Sequence, residues 1–118
     1  FLYKNLNNLE KNYDKDLIWR KFYNEKLKNE YKYLFNLFDE TIFMKAPSFK
    51  YIVNWRLKQE KNNKSKSKNL KRMSEKEIKN FIQHYEKITK WMFRNLINIA
   101  DLVIKVNKYQ RIRSIIKN

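Results

Sequence analysis

The chain has 118 residues, of which 42% are hydrophobic and 16% aromatic, and carries a formal charge of +16 from 28 basic against 12 acidic side chains. That is apolar content for about one packed domain, and too much for a chain disordered throughout. Absent cysteine excludes disulfides and thiolate metal sites, a single histidine excludes a histidine-built zinc site, and absent glycine excludes a tight phosphate-binding loop within these residues.

Residues 1–16, rich in Asn and Asp and weakly periodic, read as an irregular lead-in. Asp16 or Asp14 suits the cap of a helix beginning near Leu17, where Leu17, Ile18, Phe22, Leu27, Tyr31, Leu34, Phe35 and Phe38 recur at helical spacing, with a break near Asn29. Thr41, Ile42, Phe43 and Met44 then form a short apolar run stopped by Pro47, the pattern of a buried, parallel-type strand. Pro47 and Ser48 suit the start of a helix carrying Phe49, Ile52, Val53 and Leu57 on its inner side.

Residues 61–72, KNNKSKSKNLKR, are basic and nearly without apolar side chains, as expected of a solvated helix end and loop or of an anion site. Ser74 with Glu77 three residues on is a capping box. It opens the strongest helical pattern of the chain, through Ile78, Phe81, Ile82, Tyr85, Ile88, Trp91, Met92 and Leu96. ADLVIKV (100–106) reads as a second buried strand, and RIRSII as a third across an NKYQ turn. Apolar strands separated by helices predict an α/β sandwich with a parallel sheet. Two or three strands make a small sheet, so this pattern is that of part of an α/β domain.

The positive charge has two readings. Lys and Arg release counterions from phosphates, which points to a small basic helical module binding nucleic acid. Yet the chain is rich in Lys, Asn, Ile, Tyr and Phe, has Ala only at Ala46 and Ala100, and scatters lysines that far outnumber arginines. Arg is the residue of bidentate phosphate and base recognition, so coding bias accounts for the charge better than a nucleic-acid partner does. No 18-residue apolar run spans a membrane and no signal-peptide layout is visible, so a cytoplasmic protein is expected. Phe1 in place of Met is expected of a chain that begins inside a longer protein.

In order along the chain, NNLE, WRKFYNEKL, APSF, NWR and QE, then MSEKEIKNFIQHYEKIT and ADLVIKV, resemble the C-terminal part of D-glycerate 3-kinase-like proteins. These belong to the P-loop kinase group that includes phosphoribulokinase, uridine kinase and pantothenate kinase. WRLKQE followed by FIQHYEKIT is the most specific pair. The resemblance implies the C-terminal part of a P-loop NTPase-type parallel-sheet sandwich, mostly helical here. Residues 1–40 would be an acceptor-side helical segment and 41–47 a core strand. Residues 48–73 would form a lid helix and basic loop, 74–98 a helix and 100–118 the terminal strands. It implies transfer of a phosphoryl group from ATP, with Mg2+, to a hydroxyl of a small acid such as D-glycerate. The glycine-rich phosphate loop would lie N-terminal to these residues, so this portion alone is expected to be inactive.

Phosphoryl transfer needs cations over the transferring group. Arg56, soon after the strand at 41–46, is the first candidate for a catalytic lid cation, with Lys71 and Arg72 next. Gln59 and Glu60 would orient Arg56 or reach the nucleotide. The plainer reading pairs Arg56 with Glu60 at i+4. Arg20 and Asn24, also i and i+4, share a face able to hold the carboxylate and hydroxyl of the acceptor, or else face solvent. Trp19 is expected in the core and Trp55 in core or lid packing. His84 and Glu86 suit acid–base work near the site or, more plainly, helix-to-helix hydrogen bonds.

Overall fold

The computed structural model describes residues 4–66 and 72–118, and the chain divides into two compact units, residues 1–41 and 42–118. The fold class is α/β, mostly helical, with one three-stranded sheet.

The first unit is helical: α1 (Asn8–Tyr13), α2 (Ile18–Asn29) and α3 (Tyr31–Phe35). The expectation of an irregular lead-in is corrected by α1. Its start is fixed by a capping box in which Asn7 accepts from the Glu10 N–H and Glu10 accepts from the Asn7 N–H. Asn is as good an N-cap as Ser, and two reciprocal bonds satisfy donors that a helix start leaves orphaned. Leu17 turns the chain into α2 through a left-handed conformation, φ 67°. The cap expected of Asp16 or Asp14 comes from Asp14, whose carboxylate accepts from the backbone N–H groups of Trp19 (2.9 Å) and Arg20 (3.1 Å). The break near Asn29 falls where α2 gives way to α3.

Asp14 also defines what this unit is built around. Its Oδ2 accepts from Arg20 Nε at 2.8 Å, while Arg20 Nη2 donates to the Asp14 carbonyl. Arg20 is 1% exposed and Asp14 9%, so a charge pair occupies the interior. Trp19, expected in the core, is instead 65% exposed and meets Phe22 edge-on. Adjacent positions on a helix diverge by about 100°, so turning Arg20 inward turns its neighbour outward.

The second unit holds β1 (Ile42–Lys45), α4 (Phe49–Lys66), α5 (Glu75–Asn95), a 3-10 turn (Leu96–Asn98), β2 (Leu102–Val106) and β3 (Ile112–Lys117). Strand order is β1-β2-β3, with β1 parallel to β2 and β3 antiparallel to it. The sheet is therefore mixed, where a parallel one was expected. The tight turn after β2 is too short for a parallel crossover and forces β3 to run back. Among the described residues β1 lies at one edge of this sheet, with Phe43 buried in the core.

Phe43, Val103 and Ile116 stand side by side across the three strands. Phe43 and Val103 form the core with Ala100, against Met92 and Phe93 at the end of α5 and Leu96 and Ile97 of the 3-10 turn. α5 begins at the predicted capping box: Ser74 Oγ accepts from the Glu77 N–H at 3.2 Å and Glu77 accepts from the Ser74 N–H at 2.6 Å.

Candidate functional site

The carboxyl ends of β1 and β2 open side by side onto a crevice of about 570 Å3. Lys45, Lys105, Lys108 and Arg113 line it with Pro47, Tyr51 and Ser114, and no carboxylate is among the lining residues. Two of these cations face one another in the ladder, since Lys45 is the register partner of Lys105 and Ser114 lies next across on β3. Lys45 Nζ rests 5.0 Å from the Phe93 ring centre, a cation–π contact that steadies its stem. Lys105 and Arg113 have no ion-pair partner among the described residues. Four cations in one concavity without a lining carboxylate create a positive local potential, and the ends of parallel strands are where α/β folds place ligands.

The sequence reading missed this cluster. Lys45 and Lys105 each end an apolar run, IFMK and LVIK, but nothing in spacing along the chain brings residues 45 and 105 together. The turn supplies the rest. Asn107 N–H donates to the Arg111 carbonyl at 2.8 Å, and Asn107 Oδ1 accepts from the N–H groups of Tyr109 (2.9 Å) and Arg111 (3.1 Å). Gln110 completes the turn in a left-handed conformation, φ 62°, a place usually given to glycine, which this chain lacks.

Arg56 lies on α4, beyond the residues that line the crevice. Its Nη1 donates to Glu60 Oε2 at 2.9 Å, so the i,i+4 pair is formed, with Arg56 29% and Glu60 12% exposed. Glu60 makes a second bond: its Oε1 accepts from the Met73 N–H at 3.2 Å. Arg72 Nη2 donates to the Asn63 carbonyl at 3.2 Å, across the same loop. Glu60 and Arg72 thus tie the end of α4 to the approach to α5. Lys71 lies outside the described residues, and Gln59 is exposed.

Trp55, expected as packing, has a more particular place. Its Nε1 donates to the Lys108 carbonyl at 3.0 Å, which fastens α4 to the turn between β2 and β3, and its ring tilts against Tyr51. His84 is exposed and stacks edge-on with Phe81, while Glu86 pairs with Lys90 at i+4. Neither lines the crevice. Arg20 is sequestered by Asp14 in the first unit, so the open Arg20–Asn24 face that was expected is not presented. The guanidinium is spent on holding α2 to the end of α1.

The second unit is thus defined as a small mixed α/β unit with a cationic crevice at the ends of its two parallel strands. The chain matches no protein-family model, and no curated protein or solved structure matches it. Among the described residues no helix is long and apolar enough to cross a membrane, and no group of three or more His, Cys, Asp or Glu is placed to hold a metal ion.

Proposed function

We propose that the chain is the C-terminal portion of an ATP-dependent kinase that phosphorylates a hydroxyl of a small acid of the D-glycerate type. The observation that carries this reading is the crevice: four cations, unopposed by carboxylates, at the ends of parallel strands from which α4 departs with Arg56. Phosphoryl transfer relies on positioning and on cations over a group whose negative charge spreads in the transition state. The order of WRLKQE, FIQHYEKIT and ADLVIKV along the chain supports the same class. Lys105 and Arg113 would hold phosphate oxygens, and Arg56 would exchange Glu60 for a developing negative charge. The crevice presents cations and no carboxylates, so magnesium would enter as the nucleotide's own ion.

In the protein read from its complete frame, Arg56→Ala is expected to lower kcat with ATP and D-glycerate by about 100- to 1,000-fold, as loss of one such stabilising group does. The melting temperature should stay within a few degrees, since an i,i+4 pair is worth only about 0.3–0.5 kcal/mol. An unchanged kcat rejects the role of Arg56, and absence of phosphoryl transfer in the unsubstituted protein rejects the kinase reading.

A further inference from the structure

Beside the crevice lies a second groove of about 490 Å3, walled by Trp55 and Lys58 of α4 and by Lys108, Tyr109, Gln110 and Arg111 of the turn. Lys108 lines both hollows. The two therefore adjoin, one gathering four cations around a single aromatic ring, Tyr51, and the other setting cations beside two aromatic rings, Trp55 and Tyr109.

The fastening of Trp55 to the Lys108 carbonyl accounts for Trp55 as a structural residue. It does not account for Tyr109, which is 69% exposed and whose one ring contact among the described residues is the Lys108 ammonium at 5.0 Å. Tyr109 is thus an aromatic ring held out on a turn whose backbone is braced by four bonds to Asn107. Every nucleobase has a π-face, and aromatic walls rimmed by Lys and Arg suit a flat ring that carries phosphates.

We propose that this groove receives the base of a mononucleotide whose phosphates lie in the adjoining crevice, with Tyr109 and Trp55 bounding the base and Lys108 serving both parts. The inference rests on the nucleotide-handling reading above and assigns the residues that would carry it. The occupant is a nucleoside polyphosphate, because the cations of the crevice are gathered in one concavity. A longer strand would need further aromatic and basic stations along its path.

The test is equilibrium binding to the 118-residue chain carrying Trp19→Phe and Trp91→Phe, which leaves Trp55 as the only indole. ATP should quench Trp55 fluorescence and bind more tightly than inorganic tripolyphosphate or adenosine. Tyr109→Ala should weaken ATP by roughly 5- to 150-fold, the worth of stacking one base, and leave tripolyphosphate affinity unchanged. Lys105→Gln should weaken both ligands. Equal affinity for ATP and tripolyphosphate, or ATP affinity indifferent to Tyr109→Ala, overturns the proposal. Tighter binding of a single-stranded oligonucleotide than of ATP also overturns it, and assigns the groove to nucleic acid. Phosphoryl transfer by the full-frame protein together with an indifferent Tyr109→Ala sinks this inference and leaves the kinase reading standing. ATP binding as described with no phosphoryl transfer does the reverse.

Discussion

Asp14→Ala is expected to destabilise the first unit by about 3–5 kcal/mol, the effect of leaving one partner of a buried ion pair uncompensated. Arg20 would keep its charge at 1% exposure with its carboxylate gone, and the N–H groups of Trp19 and Arg20 would lose their acceptor at the start of α2. A domain's whole stability is only about 5–15 kcal/mol, so a unit of this size should lose most of its helical signal at room temperature. Urea unfolding followed by circular dichroism measures it. Asp14→Ala combined with Arg20→Met should recover much of the loss, because an apolar replacement of both partners is often neutral. A single variant as stable as the parent would show that the pair holds nothing together. The same carboxylate predicts acid lability. Burial pushes its pKa up, but the hydrogen bond from the Arg20 side chain, the two backbone N–H bonds and the Arg20 charge pull it further down, to a net lowering. A lowered carboxylate contributes stability that is complete above the unfolded value of about 3.9 and is lost as pH falls toward the folded one. The first unit should therefore hold through mildly acidic pH and loosen below about pH 4.

Lys105→Glu with Arg113→Glu is expected to abolish tripolyphosphate binding at the crevice. Each charged hydrogen bond is worth about 1.5–3 kcal/mol, so losing two amounts to about 100-fold or more before the new repulsion is added. Isothermal titration at low salt reads it directly. Lys21→Glu with Lys28→Glu, on exposed positions of α2, changes the net charge equally and is the control. Its affinity should fall only a few-fold, through the long-range field. Equal losses in the two double variants would mean that the anion senses overall charge and not the crevice.

Local chemistry was legible in the sequence where a rule acts over a few residues. Ser74 and Glu77 marked the start of α5, Pro47 and Ser48 that of α4, and the apolar runs around Phe43 and Val103 became neighbouring strands. Asn7 and Glu10 carry the same capping signal as Ser74 and Glu77, and a composition rich in Asn masked it. The Asp14–Arg20 pair was not legible. Six residues apart, the two match no helical spacing, and they meet only because Leu17 turns the chain between α1 and α2. The crevice was hidden for a different reason. With 28 basic residues, no single lysine stands out, and only the β1–β2 register selects Lys45 and Lys105 from the rest.

The two fastenings of α4 bear on how Arg56 could act. Trp55, its immediate neighbour, is bonded to the turn of the hairpin, and Glu60, one turn further on, is bonded to the N–H of Met73. A helix held on both sides of a residue does not swing that residue over a ligand as a closing flap would. In the kinase reading proposed above, Arg56 would act as a fixed post to which the anion travels. Such a cation costs little reorganisation at the moment of reaction, which is where fixed charges gain their catalytic strength.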